Sequence, residues 1–524
     1  MQQPTSAHPP VVLVAMPPWS IDVAPIGVAY VSRYLRHKGI ETRVVDLNHQ
    51  FYYSVPEESR YIWEPNFEAH WFGSSRVRKT LELLDEQLDR GVESILAHDP
   101  RIVGISVCGP KQAVAIELIR RLKRAAPDLH VVLGGVACSS SRERSVFLDQ
   151  IPELVTGFVE GEGEETFYEV VLQLRRDDPQ LDEIKSFVHP HGAQGFGAEL
   201  APDMIRAPLR MDDVPFPDYA EFDMDRYSRH LSVEMCRGCI GNCTYCAIKR
   251  LYHGLRQRSP EHVFAELEHH HRQFNAEYFI FVDSLMNSSI KLLDRLCDRI
   301  IDSGLKFEWH GHAIPRKEMT AELLHKMRAA GCTNLAYGLE SGSTRVLELM
   351  RKIFTAEQAE RVIRETHEAG IETMLYLITG YPGEQEDEFQ QTLDFLRRNH
   401  ESIDRIRSIN MVYLMHDTYL FDNRHELGIE LPPMSEGYHW VCGENTVELR
   451  GRRVETIRAL VKELGIPSDL HSTDEIALED PQPDVAIIGV LITDDHGRAG
   501  RPVPPGSQLS LSIHYVVNRQ VQQL

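Results

Sequence analysis

The sequence predicts an α/β protein: a doubly wound parallel sheet, then a partial (β/α)6 TIM-type barrel, then a short β-rich tail. Three observations carry that expectation. Apolar runs alternate with amphipathic stretches from Val11 through the helix that follows GEGEETF. The alternation resumes at His230 and continues for about six strand–helix units, too few to close an eight-stranded barrel. The length of 524 residues exceeds one ordinary core and suggests about three domains. The expected boundaries are 1–175 for the first array, 176–225 for a linker, 226–440 for the barrel, 441–483 for a helical extension and 484–524 for the tail.

In the first array, VVLVAM (Val11 to Met16) reads as a strand, Gly27 to His37 as a helix, and Thr42 to Leu47 as a strand carrying Asp46. RIVGISV, a helix over Gln112 to Ala126, HVVLGGV and a short strand at Gly157 to Glu160 follow. A doubly wound sheet binds its ligand beyond the carboxyl ends of its strands. Those ends carry Pro17, Asp46, Ser106, Gly134, Gly135 and the turn Gly161-Glu162-Gly163-Glu164. Glycines there let a backbone approach a bulky ligand, and they also suit ordinary turns. No G-x-G-x-x-G is present, which disfavours a nicotinamide domain. Residues 173–225 are rich in proline, glycine and carboxylates and read as a connector.

The second array opens on MCRGCIGNCTYC, in which Cys239, Cys243 and Cys246 form C-x-x-x-C-x-x-C with Tyr245 before the last cysteine. Three thiolates can hold three corners of an iron–sulfur cube, which normally takes four, and the missing ligand leaves one iron open to an exogenous molecule. Cys236 stands close enough to supply a fourth thiolate, which would make a closed cluster or a zinc site. Past the cysteines, His269, His270 and His271 are successive helical positions about 100° apart, so they do not share a face for a metal. The later strand ends carry Asp283, His310 with His312, Glu340 with Ser341, and Gly380-Tyr381-Pro382-Gly383-Glu384. Singly, Glu340 and Asp283 read equally as helix caps and GYPGE as a turn; together they make a polar mouth. His310 and His312 alternate along one strand, face one side, and are candidates to meet substrate.

The cysteine motif with its aromatic residue resembles that of the radical S-adenosylmethionine (SAM) superfamily. The resemblance implies a [4Fe–4S] cluster on Cys239, Cys243 and Cys246, with Cys236 outside the motif and SAM on the open iron. GLESGSTRVLELMRK and LITGYPGE resemble the family's fourth- and fifth-strand segments. They imply SAM contacts at Glu340, Ser341, Gly380, Tyr381, Pro382 and Gly383, alongside Tyr245 and Asp283. Upstream, PIGVAYVSRYLRHKGIETRVVD, VVLGGVACSS, FVEGEGEETF and MDDVPFPDYAEFD resemble, from Val11 to about Phe222, the cobalamin-binding domain of cobalamin-dependent members. That implies cobalamin contacts at Pro17, Asp46, Asn48, Ser106, Gly134, Gly135, Gly161 and Glu162. The D-x-H-x-x-G signature that supplies a cobalt-ligating histidine elsewhere is absent; many members of this family bind cobalamin without it. His49, the histidine nearest a strand end, reads as a surface loop residue.

The resemblance implies a radical enzyme, with methylation of an unactivated carbon of a small molecule as the leading reaction. A non-methylating cyclisation or rearrangement with the same cofactors is the alternative, and a non-catalytic iron–sulfur or zinc protein the remote one. An external electron donor such as a flavodoxin or ferredoxin is implied. The 78 Asp and Glu against 56 Lys and Arg argue against a nucleic-acid partner. Nine cysteines, four of them clustered, fit a reducing compartment. With no membrane-spanning run and no signal peptide in MQQPTSAHPP, the expected location is cytoplasmic. In the extension, VETIRALVKELG reads as either a last core helix or a substrate-covering element, and Cys442 as a buried thiol. The tail alternates apolar and polar residues about a turn at Asp495 to Gly497 and resembles the opening strands of a glycan-binding β-sandwich of polysaccharide exporters.

Overall fold

The apolar run that opens the chain becomes β1 (Val11–Ala15), flanked by β2 (Thr42–Asp46) and β3 (Ile102–Ser106). The structure, a computed structural model, describes residues 8–64, 67, 70–71, 76–189, 199–252, 254–432, 437–469, 485–493 and 510–517. All five residues of β1 are buried because both faces of the sheet are covered. Side chains alternate across a strand, so Val11, Leu13 and Ala15 pack with Val28 of helix Ile26–His37 and Phe167 of helix Gly163–Leu174. Val12 and Val14 pack on the opposite face with Leu47, Phe51, Leu88 and Ile119. Each such aliphatic side chain contributes about 1.5–3 kcal/mol through burial.

β4 (His130–Gly134) and β5 (Gly157–Val159) complete a parallel sheet of order β2-β1-β3-β4-β5, and β6 (Phe187–Val188) adds antiparallel to β5. The winding direction reverses between β1 and β3, which opens a crevice at their carboxyl ends.

The expected linker is more structured than a free connector. It supplies β6, and it buries Tyr219, whose hydroxyl donates to Ser232 O at 3.1 Å. Asp218 and Glu221 tie back to Arg36 and Ser32 of the first domain. The tyrosine's large apolar ring fills the seam between the two arrays, which a hydrophilic composition does not reveal.

The second sheet has order β14-β13-β12-β11-β10-β7, every pair parallel. Its strands are β7 (His230–Val233), β10 (Tyr278–Phe281), β11 (Glu308–Ala313), β12 (Cys332–Glu340), β13 (Glu372–Thr379) and β14 (Arg405–Met411). β8 (Cys236–Arg237) and β9 (Arg256–Gln257) form a small hairpin beyond β7. β7 and β14 do not pair, so the barrel is open, as expected from six strands. The helices between the strands start at side-chain caps, among them Ser259, Ser289, Thr320 and Thr355, each worth about 1 kcal/mol.

Helix Val447–Glu463 packs on β14, and Ser468 bridges to Ile406, so VETIRALVKELG is the last helix of the barrel core. Cys442 is half-buried, its thiol 3.4 Å from Leu427 O. The tail contributes an antiparallel pair, β15 (Val485–Thr493) and β16 (Ser510–Val517); the turn expected at 495–497 lies outside the described residues. No described helix is long and apolar enough to cross a membrane.

Candidate functional site

The cysteine loop springs from the hairpin. Gly238 turns the chain at φ +90°, where a side chain would collide with Gly254 O, so the turn needs glycine. Gly241 donates its N–H to Cys239 Sγ at 3.2 Å. A Cβ there would stand 3.4 Å from Cys239 Sγ and 3.7 Å from Cys243 Sγ, so two thiols flank one small residue. Thr244 clamps the loop: its N–H donates to Met350 O at 3.1 Å, its carbonyl accepts from Leu420 at 2.8 Å, and its hydroxyl meets Tyr381 OH at 2.5 Å. Cys239 and Cys243 are half-buried and Cys246 is exposed. Burial pushes the Cys239 and Cys243 thiols up, against the pull of the Lys352 charge.

Cys236 faces elsewhere. Its thiol is buried 3.5 Å from Leu285 O and 3.9 Å from Ser288 Oγ. Among the described residues no three His, Cys, Asp or Glu side chains converge as a single ion requires. A four-iron cube spreads its thiolates over separate corners, so three cysteines on one loop fit it better than a tetrahedral zinc.

Tyr245 and Glu340 meet, the phenol donating to Glu340 Oε1 at 3.0 Å. Lys352 donates to the same oxygen at 2.9 Å and to Gly338 O at 3.2 Å, and both charged groups are buried. Glu340 sits at φ +69° where the register of β12 slips against β13, which turns its carboxylate beside the cysteine loop. Lys352 was missed in the sequence because its partner is chosen by the fold; an isolated cation after LELMR carries no signal of its own.

Two expected SAM contacts are placed differently. Asp283 is buried and accepts the backbone N–H groups of Met235, at 2.9 Å, and Cys236, so it anchors the root of the cysteine loop. Burial raises its carboxyl to about 7. Ser341 is fully buried, sharing a hydrogen bond with Thr392 Oγ1 at 3.1 Å and accepting Ser343 N–H at 3.1 Å. The slip at Glu340 sends the next side chain into the core.

The 380–383 turn is braced from behind. Gly380 lies at φ +76° against Arg450, whose Cγ would stand 2.2 Å from a Cβ there, and its N–H donates to Glu384 Oε2 at 2.6 Å. Arg453 pairs with Glu384 at 2.8 Å. Tyr381 and Pro382 are buried, and Gly383, exposed at φ +91°, accepts Arg345 at 3.1 Å through its carbonyl.

A cavity of about 440 Å³ opens at the β1/β3 reversal, within the range of small-molecule sites. Ser106, Gly134, Gly135, Gly161 and Glu162 line it, as does Gly104, where a Cβ would meet Phe167 at 2.8 Å and Leu13 at 2.9 Å. Glu234, Arg237, Leu251, Tyr252 and Val282 close it from the barrel side, so one chamber joins the sheet's strand ends to the cysteine hairpin. Glycines among apolar walls leave the backbone open to close approach by a flat ligand.

Pro17, Asp46 and Asn48 do not line this cavity. Asp46 caps helix Leu47–Ser54 and accepts Tyr227 OH at 2.6 Å; Asn48 binds the backbone of Trp19 and Ser20. Asn48 thus holds the loop after β1 and Asp46 ties its helix to Tyr227, outcomes decided by contacts far along the chain. His49 is likewise buried in that helix, with Nε2 2.8 Å from Ile21 O and its ring stacked on Tyr227 at 3.6 Å, and is no surface residue. The lining residues Trp19, Tyr30 and Phe167 carried no sequence signal beyond apolar periodicity.

His310 Nδ1 lies 3.0 Å from Tyr278 OH and His312 Nε2 3.1 Å from Tyr376 OH. Burial pushes His310 down to about 4 and lowers His312, so both are neutral hydrogen-bonding groups near pH 7.

Residues 78–171 match the B12 binding domain and residues 233–396 the radical SAM superfamily. An uncharacterized methyltransferase of Pyrococcus horikoshii is 28% identical over 58% of this chain and 65% of its own. The anaerobic magnesium-protoporphyrin IX monomethyl ester cyclase of Rubrivivax gelatinosus is 23% identical over 67% of this chain and 64% of its own. This chain therefore spans just under two thirds of those two relatives. A cytidylyl-2-hydroxyethylphosphonate methyltransferase of Streptomyces wedmorensis is 23% identical over 71% and 72%. Among solved structures, the radical SAM methyltransferase TsrM of Kitasatospora setae superposes with a TM-score of 0.61 at 18% identity, covering 81% of this chain and 80% of that one. The cobalamin-dependent SAM radical enzyme OxsB gives 0.58 at 19%, covering 89% and 63%. At these identities the likeness establishes a shared fold.

Proposed function

We propose that this chain, which carries a B12 binding domain followed by a radical SAM domain, is a cobalamin-dependent radical SAM enzyme that methylates an unactivated carbon of a small molecule. The observation that carries the reading is the shared chamber: residues flanking the cysteine loop wall the same cavity as the strand ends of the B12 domain. When bound, the cluster supplies the electron that cleaves SAM and cobalamin supplies the methyl group. Cys239, Cys243 and Cys246 hold the cluster on a loop clamped by Thr244 and Tyr381. Tyr245, Glu340 and the 380–383 turn border SAM, with Lys352 fixing the Glu340 carboxylate. His310 and His312 present neutral imidazoles to the substrate from the barrel wall. The electron comes from an external flavodoxin or ferredoxin.

Two of the relatives are named methyltransferases, which supports methyl transfer; the cyclase among them supports a second reading, radical cyclisation with the same cofactors. Turnover with methyl-labelled SAM separates the two. Label in the product together with S-adenosylhomocysteine establishes methylation, and 5′-deoxyadenosine with an unlabelled product establishes cyclisation or rearrangement. Anaerobic reconstitution is expected to give a brown protein with about four irons. A colourless zinc protein overturns both readings.

A further inference from the structure

Helices Leu47–Ser54 and Asp85–Leu96 meet closely at Gly91, where a Cβ would stand 3.1 Å from Leu47 and 3.3 Å from Phe51. Beside that contact a pocket of about 390 Å³ lies between them. Gln87, Arg90 and Ser94 line it from one helix, at the i, i+3 and i+7 positions of a single stripe. Tyr53 and Ser54 line it from the other, and Arg226, just before β7, joins them. The pocket shares no lining residue with the 440 Å³ cavity, and the cofactor reading makes no use of it.

A stripe that faces a neighbouring helix is normally apolar, and this one is polar. Gln87 is 8% exposed, yet its Oε1 has no hydrogen-bond partner among the described residues. A buried amide oxygen left without a donor is destabilising, so it marks a place where another group completes the bonding. Arg90 and Arg226 bring two guanidiniums to this pocket in a chain whose net charge is −22. Their partners Glu86 and Asp223 are exposed, in surface pairs that water and salt readily loosen. Guanidinium forks match phosphate oxygens, and two positive charges match a phosphate monoester of about −1.5 to −2. The hydroxyls of Ser54 and Ser94 donate to Phe51 O at 3.0 Å and Arg90 O at 2.9 Å, so their oxygens remain as acceptors. Those acceptors and the Gln87 amide call for hydroxyl groups on the ligand.

We propose that this pocket binds a phosphorylated sugar or polyol, with its phosphate on Arg90 and Arg226 and a hydroxyl on the Gln87 amide. A half-turn exchanges the ends of an amide, and a hydroxyl, which both donates and accepts, satisfies either one. The volume suits a hexose phosphate and exceeds what inorganic phosphate fills.

Isothermal titration calorimetry of the full chain with glucose 6-phosphate tests the assignment, with glucose and inorganic phosphate as controls. The expected result is one site that holds glucose 6-phosphate about tenfold or more tighter than either control. Arg90→Met and Arg226→Met, both at exposed positions, are each expected to weaken binding about tenfold, and Gln87→Leu by a similar factor. Glucose 6-phosphate that does not bind, or binds no better than inorganic phosphate, overturns the proposal. Wild-type affinity in both arginine variants also overturns it, because the sugar phosphate then sits elsewhere on the chain. So does wild-type affinity in Gln87→Leu, which would leave the amide without a ligand contact. If Gln87→Leu does not fold, the two arginine variants decide.

Discussion

Cys236 and Cys239 are close neighbours in the chain, yet one thiol faces the core and the other the cysteine loop. Cys236→Ala is therefore expected to keep about four irons on reconstitution, and alanine at Cys239, Cys243 or Cys246 to lose them, by iron analysis and visible absorbance. Iron loss in Cys236→Ala would make it a ligand. Asp283, at the root of the same loop, carries a pH signature. Burial raises its carboxyl from the ordinary range to about 7, so the folded state binds a proton that the unfolded state has released. Its contribution is complete below about pH 4, fades as pH rises, and is lost above about 7. Melting temperatures of the wild type and Asp283→Asn, compared from pH 5 to 8, are expected to show the wild type losing ground as pH rises. A difference independent of pH would remove Asp283 as its source.

At the scale of elements, β3 carries a sterically sensitive position of the proposed cofactor cavity. Gly104 has no side chain where Leu13 and Phe167 close in, and Gly104→Val would push branched carbons into that floor. Overpacking of this kind costs about 1–3 kcal/mol, and the same atoms occupy ligand space. The expected outcome is about tenfold or greater loss of cobalamin affinity with iron content unchanged, measured by absorbance titration. Unchanged affinity would move the corrin site off this cavity.

The positions of such elements were legible in the sequence. Strand ends follow from strand–helix alternation, and a three-cysteine loop is a local spacing, so the places of Ser106, Gly134 and Gly161 on one cavity and of the three cysteines on one loop were legible by position alone. Side-chain direction was not legible. Asp46 and Asn48 stand at or just past a strand end and turn to Tyr227, Trp19 and Trp63; Ser341 turns into the core just past the slip of the β12 register between Gly338 and Glu340. Lys352 finds Glu340 only once helix Thr344–Leu349 folds back.

For the whole molecule, the decisive contact is the one that joins its halves. Arg237, buried in the cysteine hairpin, reaches Glu162 at 2.7 Å and Glu164 at 2.7 Å in the B12 domain, and Glu234 at 3.0 Å beside itself. Arg256 adds a second ion pair to Glu162. Burial alone would raise the Glu164 carboxyl, yet the Arg237 charge and hydrogen bond hold it below its ordinary value. Removing the guanidinium leaves the buried Glu164 and the half-buried Glu162 and Glu234 with only Arg256 and Arg258 as nearby cations, and breaking a buried pair this way costs about 3–5 kcal/mol. Lysine keeps the charge but not the fork that reaches Glu162, Glu164 and Glu234 together. Arg237→Met is therefore expected to separate thermal unfolding into two transitions, one per domain, and Arg237→Lys to lower a single transition by less. Corrinoid affinity is expected to fall in the same order, because the cavity's barrel-side wall is held in place by this contact. An Arg237→Met protein that unfolds in one unshifted transition would mean that the buried apolar seam around Tyr219 carries the coupling instead.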